Sequence, residues 1–226
     1  MDFLEAPLFK AMITNGYLNL RRHLQEVNDL NVFPVPDGDT GSNMGATMLG
    51  GVNALQGSSS LSCGELASSM ASGMLLAARG NSGVILSQFF FGLAKGMEGF
   101  DRPSVEEFSS AMEEGVKKAY SVVVKPVEGT ILTVMKEGCS GAKDNDGTFA
   151  SYFTRLIACM RKSLEKTPEL LPVLKEAGVI DSGGAGLCYI VEGMGQAIGG
   201  KIIEDVLLDF DAQTSQNGDV SALNPD

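Results

Sequence analysis

The chain has 226 residues, 44% of them hydrophobic, and a formal charge of −11. That is enough apolar material for one large domain or two small ones, and too little positive charge for tracking a nucleic-acid backbone. No stretch approaches the roughly 20 apolar residues of a membrane-spanning helix, and the N-terminus lacks a basic region followed by an apolar run.

Apolar residues recur at helical spacing almost throughout. Leu8, Met12, Leu20, Leu24 and Val27 form a stripe that predicts a first helix over 4–28. Next comes Asn31-Val-Phe-Pro-Val-Pro-Asp-Gly-Asp-Thr-Gly-Ser-Asn-Met-Gly45. Pro34 and Pro36 stiffen it, while Gly38 and Gly41 admit backbone conformations that a side chain obstructs. Asp37 and Asp39 stand two apart, and close carboxylates repel unless a cation lies between them. Mg²⁺ binds a few carboxylates together with phosphate oxygens. The acidic loop abuts a predicted helix over 40–56, and a helix N-terminus favours phosphate. Together these features point to a metal–nucleotide site.

Helices over 62–78 and 81–97 follow. Ser62 with Glu65 reads as a capping box, and Ala78-Arg79-Gly80-Asn81-Ser82-Gly83 is a Gly-rich junction. A second box, Ser104 with Glu107, opens a helix over 104–124 whose stripe is Val105, Phe108, Met112 and Val116. Ser121-Val122-Val123-Val124 admits a short strand, but a helix end ahead of Lys125-Pro126 is favoured. Pro126-Val127-Glu128-Gly129-Thr130 then leads into a helix over 129–140. Further helices are predicted over 147–166, 168–177 and 183–198. Thr167 and Pro168 suit an N-cap and a first helical position, and Ile180-Asp181-Ser182-Gly183-Gly184-Ala185-Gly186 precedes the last helix.

Short gaps between long helices favour antiparallel neighbours. In such a bundle alternate helix starts share one end, where four Gly-rich starts aim N–H groups at one anion. Each junction alone also suits an ordinary turn. An EF-hand pattern, a Walker loop and a G-x-G-x-x-G after a strand are all absent. Residues 1–209 are the expected domain. Residues 210–226 are polar and aperiodic, a linker or terminal tail. Cys63, Cys139, Cys159 and Cys188 show no zinc spacing and read as reduced, mostly buried thiols of a cytoplasmic protein.

Four segments together carry a resemblance. They are Asn31–Met44, Ala78–Gln88, Val127–Leu132 and Asp181–Gly184. The chain resembles the L domain of the dihydroxyacetone kinase superfamily and, within it, the N-terminal kinase domain of bacterial fatty acid kinase A subunits. The resemblance implies an all-α fold, an eight-helix antiparallel up-and-down barrel with ATP or ADP and two Mg²⁺ ions at one end. By carry-over, Asp37 and Asp39 are the catalytic metal ligands. Asn31, near where the sugar-kinase branch has a further aspartate, is the third. Thr40, Gly41, Asn43 and Met44 belong to the phosphate side. Asn81, Ser82 and Gly83 lie near the α- and β-phosphates, and Thr130, Asp181, Ser182 and Gly183 border the nucleoside.

The implied reaction is phosphoryl transfer from ATP to the carboxylate of a fatty acid. The acid is held by a separate fatty-acid-binding B subunit, and the product is an acyl phosphate. A homodimer through further domains is also implied. A carboxylate acceptor is already ionised at neutral pH and needs no base. This suits a chain whose one histidine, His23, sits mid-helix beside Arg21 and Arg22. Arg79 is a candidate phosphate or partner contact. Two other readings stay open: an L-type subunit of a dihydroxyacetone kinase that keeps ADP as a coenzyme, and a nucleotide-binding module inactive without further domains.

Overall fold

The computed structural model describes residues 1–143 and 145–204; the tail expected at 210–226 lies outside them. Among the described residues there are eleven helices and no strand beyond an isolated antiparallel bridge between Phe3 and Ser104. In chain order they are α1 (Ala6–Arg22), α2 (Leu24–Asp29), α3 (Thr40–Gln56), α4 (Cys63–Ala77), α5 (Gly80–Gly96), α6 (Val105–Ser121), α7 (Ile131–Gly141), α8 (Phe149–Glu165), α9 (Thr167–Leu170), α10 (Pro172–Ala177) and α11 (Ser182–Ile198).

The eight long helices form a ring. α1 packs on α3, α3 on α4, α4 on α5, α5 on α6, α6 on α7, α7 on α8 and α8 on α11, and α11 returns to α1. This is the expected up-and-down barrel, with α2, α9 and α10 as short connectors. Two of the closest pairs meet through glycine. A methyl group on Gly50 of α3 would collide with the Gly73 carbonyl of α4, and one on Gly193 of α11 with the Asn15 carbonyl of α1.

The barrel interior is filled. Phe108 of α6 meets Phe149 and Tyr152 of α8 edge-on, with ring centroids 5.6 and 6.1 Å apart; each such pair adds about 0.5–1.5 kcal/mol beyond its buried area. Every methionine except Met1 is buried, so these flexible side chains pack the core. The four cysteines are free, and all but Cys159 are buried.

Several local expectations are corrected. The first predicted helix is two, because the chain breaks at His23 (φ −115°, ψ 13°). There the imidazole Nδ1 lies 2.8 Å from the Asn19 carbonyl and the ring stacks on Tyr189 at 3.9 Å. Residues 168–177 are likewise split, since Pro172 forces Leu171 into an extended conformation (φ −124°, ψ 99°). The Ser104–Glu107 capping box forms. At Ser62 no side-chain cap forms, and the Glu65 carboxylate accepts from the Ser60 hydroxyl rather than closing a capping box. Thr167 lies inside α9 rather than capping it, and its hydroxyl donates to the Leu164 carbonyl. α6 stops at Ser121, short of the expected Val124, as β-branched residues run up to a proline.

Candidate functional site

One end of the barrel holds a cleft of about 580 Å³. Its wall combines the loop after α2 with the starts of α3, α5, α7 and α11, alternate members of the ring, and the connection from α6 to α7. The predicted residues Asn31, Asp37, Asp39, Thr40, Asn43, Asn81, Ser82, Thr130, Asp181, Ser182 and Gly183 all line it.

The acidic loop is shaped locally. Gly38 takes φ 66° between the two aspartates, a conformation that favours glycine. Asn31 is buried and staples the loop. Its Nδ2 donates to the Val35 carbonyl at 2.7 Å, and its Oδ1 accepts from the Thr40 N–H at 3.2 Å and the Thr40 hydroxyl at 2.6 Å. That oxygen has two donors already, so binding a cation would require it to give up Thr40. Asp39 occupies the N-cap position of α3 yet makes no side-chain cap. Asn28 and Asn31 satisfy the Ser42 and Thr40 N–H groups in its place, leaving the exposed Asp37 and Asp39 carboxylates facing the cleft.

Four open helix starts were expected, and the structure differs. Thr130 caps α7 by accepting from the Leu132 N–H. Asp181 caps α11, with Oδ2 2.7 Å from the Gly184 N–H, and it also accepts from the Ile131 backbone at the start of α7. Burial pushes the Asp181 carboxyl up to about 6 against the pull of those two donors. By contrast, Arg79 gives α5 no side-chain cap. The start of α5, with Asn81 and Ser82, therefore carries no side-chain cap, an arrangement that favours an anion.

Three predicted site residues sit behind the surface. Gly41 packs against the Leu24 carbonyl, Gly83 against Thr47, and Met44 is buried in the core against Gly186. Gly80 (φ 59°) lines the cleft and abuts the Asn43 amide so closely that a methyl group there would collide with it. Arg79 is exposed beside Gly80 and outside the lining. His23 is outside the lining as well.

An apolar wall was not anticipated. Val35, Val84, Val122, Val124 and Val127 are exposed large hydrophobic residues that all line the cleft; Val124 is 95% exposed. The signal for it in the sequence is three consecutive valines just before Lys125-Pro126, beyond the observed end of α6 at Ser121. Lys125 adds a basic side chain to this wall.

No group of three or more His, Cys, Asp or Glu side chains forms a metal cage among the described residues. The donor set is a pair of carboxylates, which fits Mg²⁺ carried in with phosphate oxygens. No helix of the described residues is long and apolar enough to cross a membrane.

Comparison with known proteins agrees with this geometry. Residues 34–196 match the DAK2 domain family. The chain is 43% identical over 203 residues to Protein YloV of Bacillus subtilis strain 168, covering 88% of this chain and 37% of that protein. It is 42% identical over 219 residues to an uncharacterized protein of Staphylococcus epidermidis, covering 96% of this chain and 40% of that one. The chain thus spans about two fifths of the length of these relatives. Among solved structures, the dihydroxyacetone kinase from C. freundii in complex with AMP-PNP and Mg²⁺ superimposes with a TM-score of 0.65 at 16% identity, over 84% of this chain and 34% of that one. This chain, with its ring of eight helices and its acidic loop at one end, belongs to the DAK2 domain family.

Proposed function

We propose that this domain is the ATP- and Mg²⁺-dependent part of a kinase that phosphorylates the carboxylate of a fatty acid presented by a separate binding protein, giving an acyl phosphate. The observation that carries the kinase part is the pairing of Asp37 and Asp39 around a left-handed Gly38 on a cleft that also contains the uncapped start of α5. Bound Mg²⁺ neutralises phosphate oxygens and lowers the cost of charge developing in phosphoryl transfer.

The chain's own residues do the rest. Asp37 and Asp39 hold the ions; Asn31 is a further ligand only if it releases Thr40. Asn81, Ser82 and Asn43 offer donors to the phosphate oxygens, and the α5 N–H groups add a dipole at the same place. Thr130 and the Asp181–Gly183 turn border the nucleoside, and the valine wall keeps water from it. No histidine lines the cleft. A carboxylate acceptor suits that, because it arrives without a proton to remove. The fatty-acid-binding B subunit, a homodimer made through further domains and a cytoplasmic location belong to the same proposal.

The test is ATP consumption with a fatty acid and its lipid-carrying partner, compared between this chain and a full-length relative. Acyl phosphate formation by the full-length protein supports the reading. Equal turnover with dihydroxyacetone bound to its own carrier subunit would replace the acceptor, and nucleotide binding with no turnover under any condition would leave only a regulatory module.

A further inference from the structure

We propose that Glu128 is a positioning residue of the cleft, whose carboxylate braces the connection between α6 and α7 so that its valine wall can hold the nucleoside end of a bound nucleotide. This rests on the nucleotide reading above.

Glu128 lies between the two helices and is tied to both. Its carboxylate accepts from the Tyr120 hydroxyl in the last turn of α6 at 3.2 Å and from the Thr133 hydroxyl in the first turn of α7 at 2.6 Å. It also pairs with Lys136 Nζ at 2.9 Å. Lys136 in turn lies 5.5 Å from the centroid of the Tyr120 ring. Thr133 Oγ1 accepts from the Gly129 N–H at 2.8 Å, so the loop backbone joins the same network. Burial alone would favour the neutral acid, but hydrogen bonds from Thr133 and Lys136 outweigh it and hold the carboxyl below its usual range. Hydrogen bonds to an ionised acceptor are stronger than neutral ones.

Neither helix end needs this clamp for its own capping. Thr130 caps α7, and the Val122 N–H at the end of α6 bonds to the Tyr120 carbonyl. The clamp therefore acts on the loop between them. That loop carries Val122, Val124 and Val127, exposed apolar groups that gain by collapsing onto any nearby apolar surface. Gly129 (φ 82°) is wedged against Leu170 and Leu171 on the other side, where an added methyl group would lie 3.0 and 2.9 Å from their Cβ atoms. With Glu128 on one side and α9 on the other, the wall stands open along the cleft.

Calorimetry of the 226-residue chain separates the base from the phosphates. The ligands are Mg-ATP and Mg-tripolyphosphate, which lacks a nucleoside. Glu128→Ala should weaken Mg-ATP by about tenfold, the scale of one charge-assisted hydrogen bond, and leave Mg-tripolyphosphate unaffected. Glu128→Gln, which keeps an acceptor oxygen for Thr133, should recover part of the loss. Lys136→Met, a change at a half-exposed side chain, should give a smaller loss of the same selectivity. Unchanged Mg-ATP affinity in Glu128→Ala, or an equal loss for both ligands, overturns the inference. Failure of the unmodified chain to bind either ligand instead overturns the nucleotide reading beneath it.

Discussion

The hydroxyl of Ser182 donates to that of Thr40 across 3.3 Å, although 142 residues separate them in sequence. Ser182 opens α11 and Thr40 opens α3, and Thr40 donates onward to Asn31 Oδ1. A chain of three buried polar side chains therefore links two helix starts to the acidic loop. It sets the floor of the cleft before any ligand arrives, which lowers the ordering cost of binding.

Asn31→Ala tests that floor. The substitution strands the buried Thr40 N–H and hydroxyl and frees the Val35 carbonyl. Leaving buried groups unpaired costs about 1–3 kcal/mol, read as a lower urea midpoint. Mg-ATP affinity should fall along with it, because the loop bearing Asp37 and Asp39 loses its anchor. An unchanged midpoint would deny the staple.

Asp181 gives the protein a pH signature. Burial raises its carboxyl to about 6 in the folded chain, against about 3.9 when unfolded. Between those values the folded state keeps a proton that the unfolded state has lost. Stability from this group is thus fully present below the unfolded value and disappears as pH rises through about 6. The total is at most about 3 kcal/mol. Asp181→Asn removes the titration, so wild type should lose stability relative to the variant between about pH 4 and about pH 7 in thermal melts. A constant difference across that range would show that the carboxyl does not titrate there.

Gly80→Ala tests the contact between the α5 start and Asn43. Gly80 has φ 59°, and a methyl group there would strike the Asn43 amide; Gly99 has φ 85° with nothing within 4 Å. Both alanine variants pay the conformational penalty of about 1 kcal/mol. Only Gly80→Ala should also weaken Mg-ATP binding, since it displaces Asn43 from the lining. Equal affinity in the two variants would remove Asn43 from the phosphate side.

Much of the cleft was legible in sequence because it is made of residues with special backbone needs. Gly38 between two aspartates and Gly80 before Asn81 mark turns that few other residues tolerate, and the helical stripes around them fixed the order of elements. What stayed hidden depended on partners distant in sequence or on an early helix end. The valine wall looked like the last turn of α6, because periodicity does not show where a β-branched run before Lys125-Pro126 leaves the helix. Asn28 and Asn31 cap α3 from 14 and 9 residues away in sequence, partners that no local pattern around Asp39 reveals. Gly41, Gly83 and Met44 fall within the quoted segments yet pack behind the surface, which a linear motif does not distinguish.

Calorimetric titration of Mg-ATP into Asp37→Asn and Asp39→Asn, beside the unmodified chain, bears most directly on the carboxylate pair as the seat of metal-dependent nucleotide binding. Each variant keeps the shape of the loop and removes one charge. Binding should be lost in both, with thermal melts in the absence of ligand close to wild type. Full Mg-ATP affinity in both variants would mean that the two aspartates do not hold the metal.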